Sequence, residues 1–312
     1  MAGTAAAITG SDMRGRLGPL LSGSDCRIEF PTPALGAEIT GLDLGEVARN
    51  AALVAELRAL WLERKVLFFR QESISPPELQ AFAACFGALE PHPAAPMHPD
   101  APLLFPIYRG GEGQPNAVEK VSRENIWHND LTYTPVPPRG AVLACEACPE
   151  TGGDTMWANM ALAYERLPEQ VRARIAGLYA KHSLEQYFGA QLPQEKRLKL
   201  ARRLPPIEHP VVVTHPETGE QALFVNQPFT THFANFFSFT DVRYGQDFQE
   251  AGALLDFLKA QAQQPEFQVR LKWRPGTIAL WDNLLTQHYA VSDYGNAPRR
   301  MLRATLRGEP LS

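Results

Sequence analysis

The chain has 312 residues, of which 45% are hydrophobic and 21% are charged, and its mean hydropathy is -0.23. This composition is typical of a folded globular protein and argues against a disordered chain. The formal net charge is -4, the sequence has no run of Lys or Arg, and no 18 consecutive residues are apolar. We therefore expect neither a nucleic-acid partner nor a membrane span.

The first residues lack the order of a signal peptide, because the apolar run at 5–8 is too short. We expect a cytoplasmic homo-oligomer in which a flexible N-terminal tail (1–25) precedes a single domain (26–312). Four cysteines in a chain of this length do not make a disulfide framework, and the pair Cys145 and Cys148 has no second pair to complete a zinc site. We predict buried free thiols.

Two predicted helices flank a predicted strand in the first third of the chain. Apolar residues at helical spacing predict a helix over 51–63, and the apolar run that follows predicts a buried strand at 66–69. Ser75 and Pro76 are typical of an N-cap and a first helical position, and Gly87 is a typical stop. A second helix is therefore predicted before Gly87.

From Gly140 onward, short segments rich in β-branched and aromatic residues predict a mainly β structure with flanking helices. Tight turns that contain glycine, at 216–219 and 274–276, predict hairpins and hence antiparallel pairing. Seven such strands indicate a barrel or a sandwich. The strands are predicted at 141–144, 155–158, 211–214, 222–225, 269–273, 277–281 and 301–306. Helices are predicted at 161–178, 195–204 and 248–263.

A histidine two residues before a carboxylate can supply two ligands to one metal ion, since a strand puts both side chains on one face. The sequence contains three such pairs, namely His98-Pro99-Asp100, His128-Asn129-Asp130 and His215-Pro216-Glu217. About one is expected by chance from composition, so context decides. The first lies in a Pro-rich loop and the third enters a tight turn. Apolar and β-branched neighbours predict a strand around His128 and Asp130, which favours this pair as ligands.

A facial triad of two histidines and one carboxylate needs a further histidine from a distant strand. His288, which follows the predicted strand at 277–281, is the candidate, although a hydrogen-bonded core histidine explains it as well when it is considered alone. Arg299 and Arg303 fall on one face of the last predicted strand, about 13 Å apart along the backbone. If this face is buried, the two guanidinium groups need anions; otherwise it is a solvated strand face.

Several separated motifs occur in a fixed order over residues 39–310. They are Trp127-His128-Asn129-Asp130, Thr151-Gly152-Gly153-Asp154-Thr155-Met156-Trp157, Trp281-Asp282-Asn283, Gln287-His288-Tyr289-Ala290 and the segment 299–305. Together they resemble the TauD/TfdA family of Fe(II)- and 2-oxoglutarate-dependent dioxygenases. The resemblance implies a double-stranded β-helix, or jelly roll, that holds Fe(II) through His128, Asp130 and His288.

The same resemblance implies roles for residues around the metal. Arg299 and the Thr155 hydroxyl would bind the distal carboxylate of 2-oxoglutarate. Arg303 and His92 would bind an anionic group of the primary substrate, although a loop histidine such as His92 is more often solvated. With O2, the substrate would be hydroxylated while 2-oxoglutarate is converted to succinate and CO2.

The substrate is expected to be a small organic anion, such as the alkylsulfonate taurine or an alkyl sulfate, with an aryloxyalkanoate or other carboxylate as the alternative. Ala95 and Glu124 stand where taurine dioxygenase is expected to carry a tyrosine and an asparagine. The aromatic-rich segment 231–249 fits either a lid over a bulkier substrate or a surface packing element. Two other classes stay open, a zinc-dependent hydrolase with the same three ligands and a non-catalytic anion sensor.

Overall fold

The computed structural model describes residues 18–23, 26–91, 96–110, 125–185, 192–236 and 246–311. In this part of the chain the strands are β1 (Arg27–Glu29), β2 (Ala37–Thr40), β3 (Val66–Arg70), β4 (Leu89–Glu90), β5 (Leu104–Arg109), β6 (Gly140–Ala147), β7 (Thr155–Asn159), β8 (Tyr179–His182), β9 (Ile207–Pro210), β10 (Val212–Thr214), β11 (Gln221–Leu223), β12 (Thr230–Phe233), β13 (Gln268–Leu271), β14 (Thr277–Asp282), β15 (Thr286–Ala290) and β16 (Arg299–Leu306). The α-helices are α1 (Pro19–Gly23), α2 (Leu44–Val47), α3 (Ala51–Arg64), α4 (Pro76–Ala84), α5 (Met160–Glu165), α6 (Glu169–Ile175), α7 (Gln194–Arg203) and α8 (Gln246–Ala260).

An eight-stranded sheet organises the molecule, with the order β1-β2-β3-β14-β6-β16-β4 and with β5 also paired to β16. Strand β14 runs antiparallel to both β3 and β6 and is buried along its whole length. The apolar segment that predicted a strand at 277–281 is therefore a central strand of this sheet. Of the sheet's pairings, only that of β2 with β3 is parallel.

One face of this sheet packs against the three-stranded sheet β13-β7-β15. Trp157 of β7 lies between the two sheets, 5.4 Å from the ring of Phe68 on β3 and 5.9 Å from the ring of Trp281 on β14. Met301 of β16 belongs to the same buried cluster. Two packed sheets with helices around them confirm the prediction of a mainly β fold with flanking helices.

The other face of the large sheet is covered by α3 and α4. Because side chains alternate along a strand, Leu280 and Leu302 point away from the second sheet and pack with Trp61 of α3 and Phe82 of α4. Helix α4 begins as predicted, with a capping box between Ser75 and the third helical residue. The two helices predicted in the first third of the chain are confirmed.

One predicted helix and one predicted turn differ from the structure. The helix predicted over 161–178 is divided into α5 and α6, because Pro168 has extended backbone angles that stop a helix.

The turn at 216–219 joins the antiparallel strands β10 and β11, as predicted. The turn at 274–276 does not form a hairpin, since β13 pairs with β7 in one sheet and β14 with β3 and β6 in the other. It carries the chain between sheets.

Much of the predicted tail (1–25) lies outside the described residues. Within it, α1 is docked on α3, where the backbone amides of Leu20 and Leu21 donate to the Glu56 carboxylate at 2.9 and 2.8 Å. The boundary at residue 25 stays a prediction. Among the described residues, no helix is both long and apolar enough to cross a membrane. All four cysteines are described and no disulfide joins them; Cys145 is buried and the other three are half-buried.

Candidate metal centre

His128, Asp130 and His288 lie together, and their potential ligand atoms are all within 4.8 Å of one another. His128 Nε2 lies 4.0 Å from one Asp130 carboxylate oxygen, and His288 Nε2 lies 3.7 Å from the other. The two imidazole rings are 4.1 Å apart between centroids. The structure therefore brings together the three residues that the sequence singles out as metal ligands.

The backbone structure that brings the three side chains together differs from the predicted strand. His128 and His288 form a single antiparallel β-bridge, with reciprocal N–H to carbonyl hydrogen bonds of 3.0 and 2.8 Å. The strand expected around His128 and Asp130 is wrong, because the chain turns directly after Asp130. Leu131 has a φ of 51°, and the backbone amide of Thr134 donates to the Leu131 carbonyl at 2.9 Å.

A pair of asparagines fixes the metal-ligand segment to the turn between β14 and β15. The Asp130 amide donates to the Asn283 side-chain oxygen at 2.7 Å, and the Asn283 side-chain amide donates to the Asp130 carbonyl at 3.1 Å. The Asn129 side-chain amide donates to the carbonyls of Asn283 and Thr286 at 2.8 and 2.9 Å. These bonds hold the backbone of Asp130 next to the strand that carries His288.

Asp282 holds the backbone of the turn between β14 and β15. Its buried carboxylate accepts from the amides of Leu284 and Leu285, both at 2.8 Å, and pairs with Arg139. His215 Nε2 lies 3.1 Å from the same carboxylate. Burial alone would raise the pKa of Asp282, but Arg139 and His215 outweigh burial and hold this pKa below its usual range.

The other two His-x-acid pairs are therefore structural elements. His98 accepts a local hydrogen bond of 3.2 Å from the Asp100 amide, in an exposed loop. His215 supports Asp282, and Glu217 forms an ion pair with Arg58. Among the described residues, the pair that context in the sequence favoured is the one that lies in a cluster of possible metal ligands.

Electrostatics keep the cluster in the protonation states that bind a metal ion. Burial would raise the pKa of Asp130, but the neighbouring Arg303 guanidinium outweighs burial and holds this pKa well below its usual range, so the carboxylate is ionised. Burial, together with nearby His128, lowers the pKa of His288, which keeps this imidazole neutral. His128 Nδ1 donates to the Ile126 carbonyl at 2.6 Å, which leaves the Nε2 lone pair available for a metal.

Arg303 and Arg299 both point inward, as the strand pattern predicts. The Arg303 guanidinium donates two hydrogen bonds to the Asp130 carboxylate, one of them at 3.2 Å, and lies 5.2 Å from the ring of Trp281. Arg299 is only 5% exposed, and its Nε is buried without a hydrogen-bond partner among the described residues. A solvated strand face is excluded for these two arginines.

Thr155 and Arg299 border the same side chain, Trp273. The indole N–H of Trp273 donates to the Thr155 hydroxyl at 2.9 Å, and the Arg299 guanidinium lies 6.0 Å from the Trp273 ring. The two residues expected to bind one carboxylate therefore flank a shared tryptophan. A buried guanidinium with an unused donor is suited to an anion.

A family model described as taurine catabolism dioxygenase TauD, TfdA family matches residues 28–305. The chain belongs to the TauD/TfdA family. It is 34% identical to an alkylsulfatase of Acinetobacter baylyi, over 89% of this chain and 84% of that protein. It is 35% identical to an alpha-ketoglutarate-dependent sulfate ester dioxygenase of Pseudomonas putida, over 88% and 87%. A solved taurine dioxygenase structure from Burkholderia xenovorans gives a TM-score of 0.71 at 31% identity, covering 92% of this chain and 90% of that chain.

This TauD/TfdA protein is an Fe(II)- and 2-oxoglutarate-dependent dioxygenase and uses O2 as its oxidant. The residues present fit that chemistry. Two imidazole nitrogens and one carboxylate are the donor set of a facial triad, which leaves further positions on the metal for a chelating co-substrate and O2. The unused donor of Arg299 fits the anionic co-substrate, 2-oxoglutarate.

Three residues of the centre have contacts that the sequence did not reveal. Asn283 belongs to the Trp281-Asp282-Asn283 motif, which was recognised only as a landmark of the TauD/TfdA family. Asn129 stands inside the predicted ligand pair, and Trp273 lies at the end of a predicted strand. The motifs were the available signal for the two asparagines, but the partners of all three residues are distant in sequence.

Some sequence predictions fall outside the described residues. His92, Ala95 and Glu124 are among them, so the predicted substrate role of His92 stays a prediction. Of the aromatic-rich segment 231–249, residues 237–245 are also outside. In the described part, the rings of Phe233 and Phe236 stack at 5.5 Å, and Arg174 of α6 lies 5.4 Å from the Phe236 ring.

Proposed function

We propose that this dioxygenase hydroxylates the carbon next to the charged group of a small organic anion, with an alkyl sulfate ester as the leading substrate and an alkylsulfonate as the second. One observation carries the proposal: Arg303 is a second inward-facing arginine, and its guanidinium lies directly beside Asp130. An anion bound to Arg303 would hold its neighbouring carbon close to the metal ligands. The similarity to an alkylsulfatase and a sulfate ester dioxygenase favours the sulfate ester.

We assign the metal-binding role to His128, Asp130 and His288. When bound, Fe(II) with 2-oxoglutarate and O2 supplies the oxidation that converts a C–H bond into a C–OH group. Asp130 contributes the negative charge, because Arg303 keeps its carboxylate ionised. The β-bridge and Asn283 hold the ligands in place before the metal arrives, which lowers the cost of organising the site.

We assign recognition of 2-oxoglutarate to Arg299 and Thr155. Arg299 is buried on the inner face of β16 and is suited to a bidentate contact with the distal carboxylate. The Trp273 indole N–H occupies one lone pair of the Thr155 hydroxyl, so the hydroxyl proton is free to be donated to an incoming carboxylate oxygen. Arg299 and Thr155 together would orient the co-substrate.

Arg303 would bind the sulfate or sulfonate group, with His92 as its predicted partner. Its two bonds to Asp130 satisfy one edge of the guanidinium, while its Nε is buried without a hydrogen-bond partner in the described part of the chain. This donor is available to a second anion. Trp281 stacks against the guanidinium and limits its motion.

Hydroxylation at the carbon that carries the sulfate accounts for cleavage without a hydrolytic step. The hydroxylated ester R–CH(OH)–OSO3⁻ breaks its carbon–oxygen bond to sulfate, the hydroxyl proton passes to sulfate, and an aldehyde remains. The sum is that the alkyl sulfate, 2-oxoglutarate and O2 give the aldehyde, hydrogen sulfate, succinate and CO2. Atoms and electrons balance without a further oxidant.

We also interpret the two packed sheets as the double-stranded β-helix of the resemblance, over a single domain at 26–312. Support comes from the antiparallel sheet around β14, which faces the sheet β13-β7-β15. The centre lies where β15 and the end of β14 meet the segment that carries His128. Family membership and the dioxygenase relatives argue against the zinc hydrolase and the anion sensor.

A substrate panel tests the proposal. Purified protein is supplied with Fe(II), ascorbate, 2-oxoglutarate and O2, and succinate is measured with alkyl sulfates, alkylsulfonates, aryloxyalkanoates and the matching uncharged alkanols. We expect the largest succinate yield with an alkyl sulfate and only background yield with its alkanol. Turnover of the alkanol at the rate of the sulfate would contradict recognition of the anion. Preference for an aryloxyalkanoate would replace the sulfate ester by the carboxylate alternative.

A further inference from the structure

A second buried polar cluster lies beside the metal centre. It consists of Thr132, His182, Asn226 and Thr230, each 0% exposed, and we call it the turn cluster. His182 ends β8 and is paired with Thr230, the first residue of β12. Thr132 follows Asp130 by two residues, so the turn cluster links this sheet to the segment that carries two of the three metal ligands.

Hydrogen bonds connect the side chains of the turn cluster. The Phe229 amide donates to the Asn226 side-chain oxygen at 3.0 Å, so the Asn226 side-chain nitrogen must face Thr132, whose hydroxyl accepts from it at 3.1 Å. The Thr132 hydroxyl also lies 3.0 Å from His182 Nδ1, and the Thr230 hydroxyl lies 3.5 Å from the same nitrogen. Thr132 is therefore held from both sides, by Asn226 and by His182.

The residue between Asp130 and Thr132 needs such support. Leu131 has a φ of 51°, in the left-handed region that is sterically unfavourable for an L residue with a side chain. A backbone of this kind persists where the surroundings hold it on both sides. On one side Asn283 holds the amide and the carbonyl of Asp130, and on the other side the turn cluster holds the Thr132 side chain.

We propose that the turn cluster positions the metal ligand Asp130, with Thr132 and His182 as positioning residues that act through the backbone of Leu131. This inference rests on the proposed role of Asp130 as a ligand. Without the Thr132 hydroxyl, Leu131 is released to relax to a more favourable φ, and the Asp130 carboxylate turns away from His128.

Binding of Mn(II) to the metal-free full-length protein tests the inference without turnover. Thr132→Val keeps the shape of the side chain but leaves Asn226 and His182 without their partner. Since loss of a residue that supports a ligand typically weakens metal binding about 10- to 100-fold, we expect the Mn(II) dissociation constant to rise within that range. Thr132→Ser keeps the hydroxyl and should restore tight binding.

A matched control separates positioning from general loss of stability. Thr277 is also a buried threonine, and its hydroxyl accepts from Arg70 at 2.9 Å and from the Arg274 amide at 3.2 Å, at the opposite end of β14 from Asp282. Thr277→Val should lower the melting temperature without changing the Mn(II) dissociation constant. Equal Mn(II) affinity in Thr132→Val and Thr277→Val would overturn the inference.

Two further variants keep the test decisive. If Thr132→Val does not fold, His182→Asn, which retains a hydrogen-bonding group near the position of Nδ1, is compared with His182→Phe, which does not. We expect weaker Mn(II) binding only for His182→Phe, and equal binding by both would overturn the inference. Asp130→Ala tests the premise: if it binds Mn(II) as tightly as the unaltered protein, the proposed ligand set fails, whereas loss of binding in Asp130→Ala alone rejects only the positioning role.

Discussion

Arg303 donates two hydrogen bonds to the carboxylate of Asp130, the acidic member of the His128, Asp130 and His288 cluster. A cation therefore lies in contact with the residue that we propose as the anionic metal ligand. The contact keeps the Asp130 carboxylate ionised, and it brings a candidate anion-binding group next to the reacting centre. In the proposed function, this one ion pair serves both recognition of the substrate and organisation of the metal site.

Removal of the Arg303 side chain should weaken substrate binding more than co-substrate binding. A hydrogen bond to a charged group contributes about 1.5–3 kcal/mol, so we expect Arg303→Ala to raise KM for an alkyl sulfate about 10- to 100-fold. KM for 2-oxoglutarate should change much less. Arg300→Ala is the matched control, because Arg300 is the adjacent residue of the same strand but is exposed. Equal effects on both KM values would contradict the assigned role.

Removal of the Arg299 side chain should weaken binding of 2-oxoglutarate more than binding of the alkyl sulfate. Arg299→Ala removes the buried guanidinium beside Trp273 and should raise KM for 2-oxoglutarate by about 10- to 100-fold, for the same energetic reason. Direct binding of 2-oxoglutarate to the Mn(II)-loaded protein, measured by calorimetry, separates affinity from turnover. If Arg299→Ala binds 2-oxoglutarate normally, Arg299 is not the residue that holds its distal carboxylate.

Substitution of Asp130 should remove metal binding, while the same change in another His-x-acid pair should not. We expect Asp130→Asn to weaken Mn(II) binding by at least about tenfold, because the amide is neutral and coordinates metals poorly. Asp100→Asn alters an exposed carboxylate that lies outside the cluster and serves as the control. Calorimetric titration of both variants with Mn(II) makes the comparison, and unchanged affinity in Asp130→Asn would remove Asp130 from the ligand set.

Asp282 should make the protein sensitive to acid. Its pKa is lowered in the folded state, so it contributes stability that is complete above the unfolded pKa of about 3.9 and is lost as the pH falls towards the folded value. Asp282→Asn breaks a buried ion pair and should lower the free energy of unfolding by about 3–5 kcal/mol at neutral pH.

The pH dependence separates this ion pair from packing effects. Urea denaturation of Asp282→Asn at several pH values should give a shallower decrease of stability below about pH 4 than the unaltered protein shows. Equal slopes for the two proteins would contradict the lowered pKa of Asp282.

The sequence predicted which residues meet at the centre better than it predicted how they meet. The residue types of His128, Asp130 and His288 suggested metal ligands. The order of the motifs indicated that these distant segments belong to one site. The β-bridge between His128 and His288, and the left-handed turn at Leu131, depend on contacts that no local pattern reveals. The strand predicted around Asp130 was wrong for that reason.

Turn chemistry was also only a partial guide to the fold. Glycine at 219 and at 276 correctly indicated sharp turns, each with a positive φ. Local sequence does not say which sheet the following strand joins, so one turn closed a hairpin and the other connected two sheets. The supporting roles of Asn283 and Trp273 were missed because their partners, Asp130 and Thr155, lie more than a hundred residues away.

The most direct test of the proposed function is the stoichiometry of turnover with an alkyl sulfate under Fe(II), 2-oxoglutarate and O2. Succinate and inorganic sulfate are measured together by ion chromatography, and the aldehyde is trapped as a hydrazone. We predict that succinate, sulfate and aldehyde form in equal amounts and that all three require both O2 and 2-oxoglutarate. Sulfate released without O2 or 2-oxoglutarate, with an alcohol in place of the aldehyde, would identify a hydrolase and contradict the proposal.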